Sequence, residues 1–360
     1  MEAAWHPVPG GTGRVTVDLA SALSRRSDIE VQGFSAWHRR PAPPDFSPTI
    51  SVRKLKVPRP LLYEAWSRAP IPRLNVKGHD IVHSTTIVPP PASNVPLVVS
   101  VHDLAFRRFP ERFPGRARRL FERSWRRVLE RADAVLCPSA ATSADLRAGG
   151  LAADRLHLVP LGHDPRPVTK EAGLQARQRF GIDGSFVLAA GTLEPRKNIP
   201  TLIDAFARIA SATNTQLVLA GPTGWGITPQ DLLHPLDTDT KNRVVITGAV
   251  TIDELAALYS EATVFCYPSL LEGFGLPVLE AMSYRTPVVT SKGTSTEEVA
   301  GDAALAIDPN SVGDLADALR TVLTDRHFAR ELAQRGYERS TAFSWDRAAS
   351  AIVAVYRSLL

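Results

Sequence analysis

Short apolar runs alternate with segments of helical periodicity along this 360-residue chain, and the alternation limits the fold more than any other feature. In the second half, five apolar runs are typical of buried strands: residues 185–190, 216–220, 243–246, 262–266 and 286–290. Between them, helices are predicted over residues 199–212, 252–260 and 277–283. Strands separated by helices pair in parallel, because a parallel pair needs a long crossover connection. The sequence therefore predicts a doubly wound α/β fold.

The first half shows the same alternation with more proline. Strands are predicted over residues 50–57, 80–83, 96–101, 134–137 and 156–159, and a helix over residues 116–131. The prolines in residues 39–72 predict long loops around the first of these strands, and the polar passage 164–176 is interpreted as a linker. A chain of this length suits two domains of about 150–180 residues. We expect domains over residues 1–166 and 167–342, followed by an amphipathic helix over residues 343–360.

Positive charge is concentrated in one segment. The formal net charge is +5, but residues 107–131 contain ten arginines and three glutamates, which gives +7 and leaves −2 for the rest of the chain. No nucleic-acid-binding motif accompanies this segment, so we expect no nucleic-acid partner. Two interpretations of its helix stay open: an ordinary solvated basic face, or a peripheral contact with anionic lipid.

The composition is that of a globular protein, with 44% hydrophobic and 22% charged residues. No apolar run approaches the ~18 residues of a membrane helix, and the first residues lack the basic-then-apolar pattern of a signal peptide. The two cysteines, Cys137 and Cys266, lie in apolar strand-like runs, where small buried thiols are common. These features predict a cytoplasmic protein.

Residues 272–280, with the sequence EGFGLPVLE, follow one predicted strand and open a predicted helix. Pro277 stands where the first turn of a helix accepts proline. Loop amides and a helix N-terminus together favour an anion such as a diphosphate. Glu272, at the start of the loop, and Glu280, expected in the first helical turn, would face one crevice and could bind sugar hydroxyls. Two glutamates that only stabilise the helix dipole explain the spacing equally well.

Residues 191–198, with the sequence GTLEPRKN, directly follow another predicted strand. Arg196 and Lys197 therefore lie at the carboxyl end of a strand, where open α/β sheets bind ligands. Two adjacent cations there would neutralise a diphosphate. A solvated pair of loop charges is the alternative.

Together these segments resemble glycosyltransferase family 4, the retaining nucleotide-sugar transferases whose GT-B fold has two Rossmann-like domains facing a cleft. Glu272 and Glu280 match the family's Glu-x7-Glu signature in its usual EGFGLPVLEAM context. Residues 191–198 match the donor-phosphate loop, in a form familiar from a mannosyltransferase-like subgroup. Residues 10–14 match the N-terminal glycine loop, and His102 matches the acceptor-side histidine.

The resemblance implies a nucleotide sugar held by the C-terminal domain, with GDP-mannose as the favoured donor and a UDP-sugar as the alternative. Arg196 and Lys197 would bind the diphosphate, Glu280 the ribose hydroxyls, and Glu272 the donor sugar. The remaining donor-side residues implied by the family are Gly11, Gly191, Gly221, Val250, Gly273, Phe274, Gly275 and Leu276.

The resemblance also implies catalysis without a metal, because the basic pair and the helix terminus stabilise the leaving diphosphate. The catalytic residues would be His102, Arg196, Lys197 and Glu272, with His102 orienting the sugar or the acceptor. Retention is usually explained by front-face attack within a short-lived ion pair. The acceptor is expected to be a glycan or a lipid-linked molecule, in cell-envelope polysaccharide or glycolipid synthesis.

One feature departs from the family's pattern. Family chains begin with a full β-strand before the glycine loop, whereas only residues 1–9 precede Gly10 here, and Pro7 and Pro9 are among them. We expect the N-terminal sheet to lack this first strand, with unpaired backbone beside the gap.

Two other functions stay open: a sugar-nucleotide epimerase or hydrolase of the same fold, or a nucleotide-sugar-binding protein with impaired catalysis.

Overall fold

A computed structural model describes residues 1–6, 10–91, 94–224, 226 and 228–360. The chain forms two compact units: an N-terminal unit of residues 1–162 with 344–360, and a C-terminal unit of residues 163–343. The expected domain boundaries, after residues 166 and 342, lie within four residues of these limits. The passage 164–176 is not an extended linker throughout, because a helix begins in it at Lys170, capped by the Thr169 hydroxyl.

Among its described residues, the N-terminal unit has six strands in two parallel sheets. Its strands are β1 (Gly33–Trp37), β2 (Val52–Pro58), β3 (Val82–Ser84), β4 (Leu97–Ser100), β5 (Ala134–Cys137) and β6 (Leu156–Leu158). Its first five helices are α1 (Gly10–Ser24), α2 (Arg59–Arg68), α3 (Ala105–Arg108), α4 (Gly115–Arg131) and α5 (Ala140–Ala148). β1 pairs with β2 in one sheet, and the other sheet has the order β3-β4-β5-β6.

Three elements of this unit differ from the sequence predictions. α2 lies inside the proline-rich stretch that was expected to be looped, because Pro60 falls in its first turn, where a helix does not need the missing N–H. β1 was not predicted at all. Residues 10–14, expected as a glycine loop, form the first turn of α1. Of the residues described before α1, Glu2–Trp5 form a one-turn 3-10 helix.

The core of the N-terminal unit lies between helix α4 and the sheet β3-β4-β5-β6. Trp125 and Val128 on the apolar face of α4 are fully buried against Val99 and Val135 of the two central strands. The chain's last helix, Trp345–Ser358, also belongs to this unit and packs on α1. Within the part of the chain that the structure describes, no helix is both long enough and apolar enough to cross a bilayer.

The part of the C-terminal unit that the structure describes forms one six-stranded parallel sheet with helices between the strands. Its strands are β7 (Phe186–Ala190), β8 (Gln216–Ala220), β9 (Val244–Gly248), β10 (Val264–Tyr267), β11 (Val288–Ser291) and β12 (Leu305–Ile307). Its helices are α6 (Lys170–Phe180), α7 (Ile199–Ala207), α8 (Ala210–Thr213), α9 (Pro229–Leu233), α10 (Thr238–Asn242), α11 (Ile252–Glu261), α12 (Leu276–Ser283), α13 (Ser295–Ala300), α14 (Val312–Thr324) and α15 (Arg326–Ser340). The helix predicted over residues 199–212 is therefore two shorter helices.

The strand order of this unit is β12-β11-β10-β7-β8-β9. The five residues of β7 and the four of β10 are all buried, and strands covered on both faces are continuous apolar runs. From β7 the chain moves to one edge through β8 and β9, and then returns to β10 on the other side of β7. The order thus reverses between β7 and β10, and open α/β sheets bind ligands beyond the carboxyl ends of strands at such a point.

Candidate active site

The two loops singled out from the sequence meet where the strand order reverses. Residues 191–198 follow β7, and residues 268–275 follow β10, its parallel neighbour. Because parallel neighbours end at the same edge of a sheet, both loops leave the sheet side by side. Two contacts join them: Leu270 N donates to Arg196 O at 2.8 Å, and Ser269 Oγ lies 3.0 Å from the same carbonyl.

Arg196, Lys197 and Glu272 form an ion cluster between the loops. Lys197 Nζ lies 2.6 Å from Glu272 Oε1, and Arg196 Nη1 lies 2.8 Å from Glu272 Oε2. Lys197 also donates to the phenol oxygen of Tyr267, the last residue of β10. Ser269 Oγ donates to Glu272 Oε1 at 2.7 Å. Both cations predicted to bind a diphosphate are thus held by the carboxylate predicted to contact the sugar.

Burial and charge shift the pKa values in the ion cluster. The side chains of Glu272 and Lys197 are only 10% and 9% exposed. Burial raises the pKa of Glu272, but Arg196 and Lys197 more than offset it and lower that pKa to about 2. Burial lowers the pKa of Lys197, and Arg196 beside it lowers it further. Buried Glu194 pairs with Arg196, so two cations face two carboxylates and their formal charges sum to zero.

Helix α12 starts four residues after Glu272. Its cap, Gly275, has φ of +109°, and a Cβ there would lie 2.8 Å from the Thr296 side chain, so glycine is required on both counts. Leu276 is the first helical residue and Pro277 the second. The N-terminal amides of α12 therefore open beside the ion cluster, which favours an anion there.

Glu280 was expected in the first turn of this helix, and that expectation was wrong. α12 begins at Leu276, so Glu280 is its fifth residue and lies in the second turn, which weakens the explanation that it only stabilises the helix dipole. Its Oε2 accepts a hydrogen bond of 2.9 Å from the hydroxyl of Tyr259 on α11. Burial raises the pKa of Tyr259, which keeps this phenol a neutral donor.

Gly191 and Gly221 directly follow the neighbouring strands β7 and β8, and their backbones are in close contact. Gly191 N donates to Ala220 O at 2.8 Å, and a Cβ on Gly221 would lie 2.1 Å from Gly191 O. Gly221 also has φ of +145°, so only glycine fits there. Val250, half-buried, follows β9 in the loop before α11. All three therefore lie at the same edge of the sheet as the ion cluster.

His102 and Gly11 belong to the N-terminal unit. His102 follows β4; its Nε2 lies 3.1 Å from Thr85 O, and Thr142 Oγ1 donates to its backbone oxygen at 3.1 Å. Burial lowers the pKa of His102, which favours the neutral imidazole with its proton on Nε2 and an acceptor at Nδ1. Gly11 is exposed in the first turn of α1.

Comparison with known proteins identifies the family. The profile "Glycosyltransferase Family 4" matches residues 9–166, and the profile "Glycosyl transferases group 1" matches residues 175–339. The chain is 33% identical over 270 residues to O-antigen chain mannosyltransferase B of Escherichia coli, which covers 73% of this chain and 70% of that relative. The chain belongs to glycosyltransferase family 4. This glycosyltransferase is also 30% identical to the serotype-specific mannosyltransferase WbdA of Escherichia coli over 79% of its own length and 36% of that longer relative.

Solved structures agree with the fold of this family 4 glycosyltransferase. Sucrose-phosphate synthase from Thermosynechococcus elongatus matches with a TM-score of 0.76 and 26% identity, over 97% of this chain and 94% of that one. HepE from Anabaena, in complex with UDP and glucose, matches with a TM-score of 0.76 and 19% identity, over 99% and 98%. The predicted GT-B class, with two Rossmann-like α/β domains, is confirmed, and so is the prediction of a transferase enzyme.

Four residues of the glycosyltransferase's candidate site were not singled out from its sequence: Glu194, Tyr259, Tyr267 and Ser269. Glu194 lies in the same loop as Arg196, and the buried position of Tyr267 at the end of β10 was a usable signal. The sequence contained no signal for Tyr259, because its partner Glu280 lies on a different helix.

Proposed function

We propose that this glycosyltransferase moves mannose from GDP-mannose to a glycan or lipid-linked acceptor with retention at the anomeric carbon, in cell-envelope polysaccharide or glycolipid synthesis. The observation that carries the proposal is the ion cluster of Arg196, Lys197 and Glu272 beside the N-terminus of α12. Two relatives named as mannosyltransferases support mannose, and the UDP complex of HepE keeps a UDP-sugar as the alternative.

Donor binding in this proposal exchanges the partners of the cations. The diphosphate takes up hydrogen bonds from Arg196 and Lys197 and from the first amides of α12. Glu272, released from the two cations, accepts hydrogen bonds from the sugar hydroxyls. Glu280 takes the ribose hydroxyls, as the family signature implies. Gly221 and Val250, at the ends of β8 and β9, flank the base.

The transfer step breaks the bond between the anomeric carbon and the diphosphate oxygen. The acceptor hydroxyl forms its new bond on the same face of the sugar and gives its proton to the leaving phosphate oxygen. Arg196, Lys197 and α12 stabilise the negative charge that grows on the diphosphate. His102 orients the sugar or the acceptor. Since these groups already supply positive charge, we propose that the reaction needs no metal.

The test is a transfer assay with labelled sugar nucleotides and a lipid-linked or oligosaccharide acceptor. We expect labelled product with GDP-mannose, and loss of transfer in Glu272→Ala and Lys197→Ala. Unchanged transfer in both variants would show that the site is wrongly assigned. Epimerised or released sugar without acceptor would instead support the epimerase or hydrolase.

We also propose a peripheral contact with anionic lipid through residues 107–131. Five of the ten arginines in this segment pair with carboxylates. The other five are exposed and make no ion pair with any residue that the structure describes: Arg116, Arg118, Arg119, Arg126 and Arg131. Unpaired arginines on one helix favour a negatively charged surface. Equal flotation with anionic and neutral liposomes would overturn this contact.

A further inference from the structure

Tyr259 places a phenol beside the carboxylate of Glu280. Helix α11 follows β9 and helix α12 follows β10, so both helices begin at the carboxyl edge of the sheet. Helical side chains lean toward the N-terminus of their helix. Tyr259, in the last turn of α11, and Glu280, in the second turn of α12, therefore both lean toward that edge. The two side chains meet, and the Tyr259 hydroxyl donates to Glu280 Oε2 at 2.9 Å.

The bond between Tyr259 and Glu280 has a cost that packing alone does not require. Tyr259 is 1% exposed and Glu280 is half-buried, so both polar groups lose water. Two apolar side chains of the same shape would pack without that loss. Burial, and then the charge of Glu280, raise the pKa of Tyr259, so the phenol keeps its proton and donates it to the carboxylate. The pair therefore indicates a carboxylate that has to be held in one orientation.

Two aromatic neighbours fix the ring of Tyr259. The ring is stacked on Tyr284, with centroids 6.0 Å apart and planes inclined by 8°. The hydroxyl of Tyr284 accepts from Arg166 N at 2.9 Å and donates to Arg166 O at 3.2 Å, which anchors the second ring to the backbone. Phe265 of β10 meets the Tyr259 ring edge-on, with centroids 5.3 Å apart. These contacts restrict the position of the Tyr259 hydroxyl.

We propose that Tyr259 is a positioning residue that orients the Glu280 carboxylate toward the ribose hydroxyls of the donor nucleotide. The inference rests on the ribose contact of Glu280 in the proposed function. A carboxylate accepts up to about four hydrogen bonds, so the bond from Tyr259 orients Glu280 without saturating it. Because the carboxylate is ordered before the donor arrives, binding loses less side-chain entropy.

The test compares the binding of GDP and UDP with that of their 2′,3′-dideoxy forms by calorimetry. The dideoxy forms lack both ribose hydroxyls, so the ratio of the two dissociation constants reports the ribose contact alone. We expect the unchanged chain to bind its preferred nucleotide at least about tenfold more tightly than the dideoxy form. Tyr259→Phe should reduce this ratio at least about fivefold, by weakening only the binding of the ribonucleotide. The control is Tyr337→Phe at a half-buried position of α15, which should not change the ratio.

Transfer kinetics give a second measurement. The ribose is remote from the reacting atoms, so its contact is equally strong in the ground state and the transition state, and its loss raises KM without lowering kcat. We expect Tyr259→Phe to raise the KM for the nucleotide sugar at least about fivefold and to change kcat less than about twofold. A lowered kcat with an unchanged KM would contradict the inference.

The calorimetric outcomes separate this inference from the proposed function. An unchanged ratio in Tyr259→Phe would overturn the inference and leave the proposed function intact. Equal weakening of the ribonucleotide and its dideoxy form would also overturn it, because that result shows a structural role. If the unchanged chain binds both forms equally, or binds neither nucleotide, the Glu280 contact of the proposed function is wrong, and the inference fails with it.

A second variant decides the question if Tyr259→Phe does not fold. Tyr284→Phe keeps the stacked ring but removes its two hydrogen bonds with the Arg166 backbone. The ring of Tyr259 then loses part of its support, and we expect the ratio to fall at least about threefold. An unchanged ratio in Tyr284→Phe would overturn the inference.

Discussion

Replacing Glu272 by glutamine tests the ion cluster most directly. The folded protein lowers the pKa of this carboxyl from 4.5 to about 2, and at 1.36 kcal/mol per pKa unit the carboxylate form contributes about 3 kcal/mol. The folded-state pKa is the lower one, so this contribution is fully present above pH 4.5 and is lost as the pH falls toward 2. Glu272→Gln keeps the shape of the side chain but leaves Arg196 and Lys197 together without their carboxylate. We expect it to lower the free energy of unfolding of the C-terminal unit by about 3 kcal/mol at pH 7.

Amide hydrogen exchange within the sheet of that unit measures the effect. The amides of Leu217 and Phe265 are suitable, because both residues are fully buried and each donates to a carbonyl just before the neighbouring strand. A loss of about 3 kcal/mol should speed their exchange roughly a hundredfold. The control is Glu261→Gln, which removes a surface partner of Arg177 and should change exchange less than fivefold. A Glu272→Gln effect no larger than the control, or one that does not shrink below pH 4.5, would refute the reasoning.

Three further predictions concern the same unit. Lys197→Met should abolish the thermal shift given by GDP or UDP and lower transfer at least a hundredfold, whereas Lys170→Met, at an exposed position of α6, should change neither. Gly221→Ala should lower the free energy of unfolding by about 3 kcal/mol or more, because its Cβ would lie 2.1 Å from Gly191 O. Gly184→Ala, with positive φ but no atom within 4 Å, should cost only about 1 kcal/mol in chemical denaturation. Transfer should persist in EDTA; complete loss of transfer restored by a divalent cation would contradict the proposed metal-independent step.

The parts of the fold that could be predicted are those where one physical signal dominates. The strands of the C-terminal unit are buried on both faces, so their sequences are continuous apolar runs that no loop resembles. The errors lie where two signals compete. Proline suggested a loop at α2, but Pro60 lies in the first turn, where proline is compatible with a helix. Glycines suggested a loop at residues 10–14, although these residues begin α1.

The sequence suggested residues for the candidate site but not the contacts between them. The cations at Arg196 and Lys197 follow from the rule that ligands bind at the carboxyl ends of parallel strands. Their pairing with Glu272 does not, because residues 75 positions apart meet only once β10 is placed beside β7. Strand order is a property of the whole sheet, and the spacing of motifs along the chain contains no information about it.

The charge balance of the ion cluster explains how one carboxylate can serve both stability and the proposed donor binding. Two buried cations without a partner would repel each other, and Glu272 with Glu194 removes that cost in the structure described. In the proposed function, an incoming diphosphate would replace Glu272 on both cations, so the cations would exchange one anionic partner for another and never face each other alone. That exchange would also direct the Glu272 carboxylate to the sugar only when a diphosphate is present. Glu272 therefore stabilises the fold when no donor is bound, by pairing with Arg196 and Lys197. When a donor binds, the same side chain is proposed to contact the sugar instead.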